Sequence, residues 1–337
     1  MNLRLGSMSV ACCVLLSGPV CAVAGVSGPL ASKLDGTPPA IPIGGESANE
    51  IKSKMRSGEI KQITRIPPLP DKVEAQLNVK YGEAGKPLLL DLYKPKEMQK
   101  PAPGLIFVHG GSWSRGSRKI YGYYCQHFAE KGYVAATIEY RLSGEAPFPA
   151  AIQDVNCAIR WMRANAERLH VDPNKIGIVG GSAGGHLVLL AAYSHTDDPE
   201  LEGTGGNPGI SSRVQAVIDF YGPIELKASK SNPKSPVLKF MGGKSIDEAP
   251  EQYAKASPIN HLTKGAPPTL IMHGTVDELV SIGQSDRLAA KLTELGVPYL
   301  YDRQEGWHHA MDAVAVVNAR CVWLMDQFLA QVLPVTK

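Results

Sequence analysis

The sequence predicts an α/β fold: a mostly parallel sheet of about eight strands with helices on both faces. Short apolar runs alternate with longer amphipathic stretches through most of the 337 residues. The runs lack the polar alternation of half-exposed strands, so they suit strands buried on both faces. Strand then helix, repeated, is the pattern of a doubly wound sheet, whose chemistry gathers where loops leave the carboxyl ends of the strands.

In chain order, residues 1–24 read as a signal peptide. Arg4 precedes an apolar run, Val10–Val23, which ends in the small-x-small site Ala22-Val23-Ala24. The run is short for a membrane span and is broken by Gly18 and Pro19. The expectation is therefore a secreted or periplasmic protein with no stable membrane anchor, an uncleaved anchor being the alternative. Cys12, Cys13 and Cys21 lack the aliphatic-small-small sequence that precedes a lipidated cysteine. Residues 25–70, rich in Pro, Gly and Ser, predict an N-terminal arm with helical tendency only around Asn49–Ile63. Residues 71–337 predict one large α/β domain.

Within that domain, Val73–Lys80 and Leu88–Tyr93 predict an antiparallel pair across a Gly-containing turn. Buried strands are predicted at Leu105–His109, Val134–Glu139, Ile176–Val179, Ala216–Phe220, Thr269–His273 and Tyr299–Arg303. Helices are predicted at Tyr121–Lys131, Ala150–Arg168, Gly184–Tyr193, Gln284–Leu295 and Ala313–Val332, with Gly132 and Gly296 just past two helix ends. Residues 223–262, carrying Pro233, Pro236, Pro250 and Pro258, break the alternation. They predict an insertion, read either as a lid or pocket wall or as a neutral surface excursion.

Composition narrows the function classes. A net charge of +3, with no run of five basic residues, argues against nucleic-acid or membrane-surface partners. Beyond the leader the cysteines are Cys125, Cys157 and Cys321. An odd number permits at most one disulfide within a monomer, and no pair has metal-site spacing. Buried free thiol is the default for each.

The strongest chemical signal is Gly180-Gly-Ser182-Ala-Gly184, between a buried strand and a helix. This G-x-S-x-G turn is a nucleophile elbow, which exposes the Ser182 oxygen at a helix N-terminus. It fits neither a dinucleotide loop nor a phosphate loop, since the spacing is wrong and Gly181 stands where a lysine would. Upstream, His109-Gly110-Gly111-Ser112-Trp113 follows a strand and leaves backbone N–H groups unshielded, as an oxyanion site needs, together with the N–H of Ala183. Trp113 reads as pocket lining or as core, and His109 as structural. The chain order Ser…Asp…His expected after an elbow gives Asp277 as the acid, with Glu278 as its rival. His308 and His309 are alternative bases, the other lining the pocket or facing solvent. Adjacent histidines without a nearby acid cluster argue against a metal site. His127, His170, His186, His195, His261 and His273 default to structure.

Taken together, HGGSW, YRLSGEAPFPAAIQD, GGSAGGHL, HGTVDELV and EGWHHAM resemble the esterase/lipase branch of the α/β-hydrolase fold, in particular hormone-sensitive-lipase-like enzymes and bacterial acetyl-esterase or feruloyl-esterase-like (BD-FAE-type) carboxylesterases. The resemblance covers Val73 to the C-terminus. It implies His309 rather than His308 as base, and Gly110, Gly111 and Ala183 as oxyanion-hole donors. It also implies a structural contact of Tyr140-Arg141 with Asp154, and Cys125–Cys321 as the favoured disulfide. HGGSW departs from the family's HGGGW, Gly181 replaces a common Asp, and Ala310-Met311 replaces the usual Gly-Phe. The expected activity is hydrolysis of short-chain acyl or aryl esters, a small-molecule substrate, through an acyl-enzyme, with Trp113 and His308 near the substrate and no metal or organic cofactor. Rival readings are an amidase or formamidase, a peptidase, and a non-catalytic binding module on the same fold. The sequence carries no signal of oligomeric state.

Overall fold

The computed structural model describes residues 25–64, 66–194 and 198–336. The predicted signal peptide, and His195, lie outside the described residues. Among the described residues, nine strands form one sheet: β1 (Val26–Ser27), β2 (Val73–Glu83), β3 (Pro87–Pro95), β4 (Ala102–Val108), β5 (Val134–Ile138), β6 (Val171–Gly181), β7 (Ala216–Phe220), β8 (Thr269–Gly274) and β9 (Tyr299–Gln304). Their spatial order is β1-β9-β8-β7-β6-β4-β5-β3-β2. All eight predicted strands are present. The ninth comes from the arm, where Val26 and Ser27 pair antiparallel with Asp302 and Tyr301. Two residues have no periodicity to read, so only the folded partner reveals them. β2, β3 and β5 meet antiparallel, and the strands from β5 through β4, β6, β7 and β8 to β9 run parallel.

The helices are α1 (Ala48–Ser57), α2 (Gly122–Glu130), α3 (Ala150–Ala164), α4 (Ala166–Leu169), α5 (Ala183–Tyr193), α6 (Pro199–Glu202), α7 (Pro236–Phe240), α8 (Pro250–Lys255), α9 (Gly283–Leu295) and α10 (Ala315–Val332). Ser47 and Glu50 form a reciprocal capping box at the start of α1, and Gly58 ends it in the left-handed region. The helix predicted over Ala150–Arg168 divides at Asn165 into α3 and α4. α10 begins later than predicted, because Met311–Ala313 first makes a 3-10 turn.

The sheet separates two apolar cores. α3, α5 and α9 pack on one face through Ile152, Leu187 and Leu288, joined by Phe240 of α7 and Tyr253 of α8. α2 and α10 pack on the other through Phe128, Met325 and Phe328, where Ile51 of α1 and Leu30 of the arm join them. The default reading of the cysteines holds, and the Cys125–Cys321 disulfide that the resemblance favoured is absent: Cys125, Cys157 and Cys321 are all buried free thiols. Cys125 and Cys321 do share one face of the sheet, but they meet different neighbours. Cys321 Sγ receives Gln304 Nε2 of β9 at 3.3 Å, whereas Cys125 lies in the field of Asp91 and Tyr93 on β3. β9 and β3 stand six places apart in the sheet order, and a disulfide tolerates a Cα separation of only about 4.4–6.8 Å.

Candidate active site

β6 turns directly into α5 at Ser182, which takes φ +56° and ψ −122°. That conformation costs a non-glycine residue of order 1–3 kcal/mol and persists only where the surroundings enforce it. They do so here by close backbone approach. A Cβ on Gly184 would lie 2.0 Å from the Val108 carbonyl oxygen, and one on Gly110 would lie 2.7 Å from the Gly181 oxygen. The elbow and the His109–Trp113 loop thus meet backbone to backbone. Ser182 stays partly exposed between buried neighbours.

Three strand ends converge. Ser182 follows β6, Asp277 follows β8 and His309 follows β9. The Ser182 hydroxyl donates to His309 Nε2 at 2.9 Å, and His309 Nδ1–H donates to Asp277 Oδ2 at 2.6 Å. The other Asp277 oxygen accepts the amides of Leu279 and Val280, each at 2.8 Å. His273 Nε2 lies 3.2 Å from Asp277 Oδ2 and donates to the Val280 carbonyl at 2.9 Å, while the Ser285 hydroxyl donates to His273 Nδ1 at 2.7 Å. Burial raises the Asp277 pKa, but hydrogen bonds from His273, His309 and the Val280 amide, with the charge of His309, outweigh it. The carboxyl is held well below the usual carboxylate range.

Ser182 and His309 open onto a cavity of about 840 Å³ that is also lined by Gly110, Gly111, Ala183 and Trp113. Ala183 N–H is the first of α5 and so has no intrahelical partner. Both sequence readings of Trp113 apply. It borders the cavity, yet it is 4% exposed, donates to His186 Nδ1 at 3.2 Å and stacks on Phe240 with centroids 4.7 Å apart. His186 is fixed from both sides, since its Nε2–H donates to the Ala256 carbonyl at 2.7 Å. Burial lowers its pKa to about 4 and likewise that of His109, whose ring lies on Tyr140. Both are structural histidines. Arg141 grips Asp154 through side chain and backbone, the nearest approaches being 2.7 Å.

His308, expected near the substrate, lies beside the cavity that Ser182 and His309 share. Its Nδ1 faces Glu278 at 3.3 Å, its Nε2–H donates to the Glu46 carbonyl at 2.5 Å, and the ring is not part of the cavity wall. Glu278 pairs with His308, whereas Asp277 is the carboxylate that meets His309. The 223–262 segment does reach the site, contributing Pro223, Leu226, Pro236 and Val237 to the cavity.

Sequence reasoning missed other neighbours. The Tyr221 ring packs 4.6 Å from that of His309, and its hydroxyl donates to the buried Asp312, to which Tyr124 also donates. Burial raises the Asp312 pKa against those hydrogen bonds. A signal existed for Tyr221, which follows a buried strand at the carboxyl end of the sheet, where site residues gather. For Asp312 the only hint was its place three residues beyond His309. Among the described residues, no group of three or more His, Cys, Asp or Glu is placed to hold a metal ion. No helix among them is long and apolar enough to cross a membrane.

The family model described as BD-FAE matches residues 90–292. Esterase LipQ of Mycobacterium tuberculosis is 33% identical over 289 residues, covering 82% of this chain and 66% of that protein. Esterase LipC of the same organism is 37% identical over 210 residues, covering 60% and 52%. The chain thus spans about half to two thirds of the length of these curated relatives. Among solved structures, a truncated carbohydrate esterase from gut microbiota superposes with TM-score 0.66 at 28% identity, covering 77% of this chain and 99% of that one. A thermophilic esterase of Thermogutta terrifontis does so with TM-score 0.66 at 27% identity, covering 82% and 98%.

Proposed function

Because the chain belongs to the BD-FAE family of α/β-hydrolase esterases, we propose that it hydrolyses carboxylic esters by two-step acyl transfer on Ser182. The observation that carries this reading is the unbroken hydrogen-bond chain from the Ser182 hydroxyl through His309 to Asp277, at 2.9 and 2.6 Å. His309 Nε2 takes the hydroxyl proton as Ser182 Oγ attacks the ester carbonyl carbon. The carbonyl oxygen becomes an oxyanion, which the amides of Gly110, Gly111 and Ala183 stabilise; such a donor is worth about 10²–10³ in rate. Collapse of the tetrahedral intermediate breaks the ester C–O bond, and the imidazolium returns its proton to the leaving alcohol. Water then repeats the sequence on the acyl-enzyme, releasing the acid and restoring Ser182. Asp277, ionised throughout, fixes the imidazole tautomer and offsets the positive charge that develops on it. Short-chain acyl and aryl esters are the substrates we assign.

The test is covalent labelling with a fluorophosphonate together with turnover of p-nitrophenyl esters from acetate to palmitate. We expect labelling at Ser182 and loss of both signals in Ser182→Ala. His309→Ala is expected to abolish turnover, and His308→Ala to retain it. An unlabelled chain, or the reverse behaviour of the two histidine variants, would overturn the assignment.

A further inference from the structure

Residues 38–63 precede the segment matched by the family model, which begins at residue 90. Pro38, Pro39 and Pro42 cannot donate backbone hydrogen bonds. Several of the segment's other backbone groups bond to the loop that carries His309. Before His309, Gly44 N–H donates to the Glu305 carbonyl at 3.0 Å, Trp307 Nε1–H donates to the Pro42 carbonyl at 2.9 Å, and His308 donates to Glu46. After His309, Ile63 N–H donates to the Ala313 carbonyl at 3.1 Å and Ala315 N–H to the Lys61 carbonyl at 2.8 Å, flanking an antiparallel bridge between Gln62 and Val314. The arm therefore grips the base loop on both sides of the imidazole. Between the grips lies α1, onto which Gln62 folds back by donating to the Met55 carbonyl at 3.0 Å. Gln62 and the half-buried Ile63 then line the same cavity as Ser182 and His309.

We propose that Ile63, supported by Gln62, is a specificity-determining residue: the N-terminal arm supplies one wall of the substrate cavity and fixes that wall to the loop bearing the base. This rests on the ester-hydrolase reading above. The wall meets the substrate through an apolar side chain, so it discriminates by size. Its position relative to His309 is set by the backbone bonds on either side.

The experiment uses the full chain with Ile63→Trp and Ile63→Ala. kcat/KM is measured on two series, p-nitrophenyl esters from acetate to decanoate and alkyl acetates from ethyl to octyl, alongside the rate of fluorophosphonate labelling. In at least one series, Ile63→Trp lowers the long-to-short ratio about tenfold or more, in line with what a hydrophobic pocket gains or loses per methylene. Ile63→Ala moves the same ratio the other way. Labelling by a small fluorophosphonate shows that Ser182 remains reactive in each variant. Should the tryptophan variant unfold on circular dichroism, the alanine variant decides. An unaltered chain that takes no label removes the proposed function and this inference with it. Labelled variants whose profiles coincide with that of the unaltered chain in both series remove this inference alone.

Discussion

At Asp277, burial and hydrogen bonding act in opposite directions. A carboxyl closed off from solvent gains a proton more readily, yet hydrogen bonds from His273, His309 and the Leu279 and Val280 amides favour the charged form. They prevail, so the folded pKa lies below the unfolded value of about 3.9. A depressed folded pKa contributes stability above the unfolded value, and that contribution fades as pH falls through the folded one. Asp277→Asn is therefore expected to melt with a shallower acid limb below about pH 4 than the unaltered chain. Its kcat should fall by about 10⁴, because an amide cannot hold the same tautomer. Melting temperature against pH and steady-state rates check both. Residues of this kind were legible where a motif fixes them. Ser182 sits in a turn that few other sequences can make, and Asp277 and His309 follow strands in the order an elbow requires. His273 was read as structural because its contact with Asp277 depends on how the 274–280 turn closes, which no spacing encodes. His308 and His309 are chemically identical and spacing left both open; the resemblance pointed to His309, and the loop's path brings that ring to Ser182 and the other to Glu46.

At the scale of elements, the parallel strands were readable because burial on both faces leaves an uninterrupted apolar run, as in Ala216–Phe220. The 223–262 insertion was not, since its order comes from tertiary contact. α7 and α8 each begin at a proline suited to a first helical turn. They are held in place by Phe240 against Trp113 and by His186 under Ala256. The insertion is thus built into the packing behind the elbow as well as into the cavity wall. The arm is a similar case, and its tightest point is the crossing with the base loop. A Cβ on Gly44 would stand 1.9 Å from the Gly306 carbonyl oxygen, so Gly44→Ala must push two backbones apart. Overpacking of this kind costs about 1–3 kcal/mol. A lowered melting temperature with a kcat loss larger than any change in KM is the expected outcome, read by thermal denaturation and steady-state kinetics. A melting loss with unchanged kcat would show that the crossing stabilises the fold without setting the base.

For the whole molecule, the vulnerable place is the sheet edge where the N-terminal arm and α10 come together. β9 would be an open edge, but β1 from the arm pairs with it, which blunts its tendency to recruit another strand. α10 is tied to the same strand by a buried ion pair, Arg320 to Asp302, with approaches of 2.7 and 2.9 Å. Arg320 also donates to the Pro39 carbonyl at 3.1 Å, so one guanidinium joins last helix, last strand and arm. The Arg320 and Asp302 side chains are 5% and 0% exposed. Removing two charges from water costs several kcal/mol per ion before their attraction offsets it, so the net stabilisation by such a pair is small, whereas an orphaned partner is costly. Arg320→Met leaves the Asp302 carboxylate, among the described residues, with the Gln304 amide at 3.0 Å as its remaining side-chain donor, and is expected to cost about 3–5 kcal/mol. The double variant Arg320→Met/Asp302→Leu removes the stranded charge and should recover most of that loss. Urea denaturation of the three proteins distinguishes this from a cost of lost packing alone, in which the double variant would be at least as unstable as the single one.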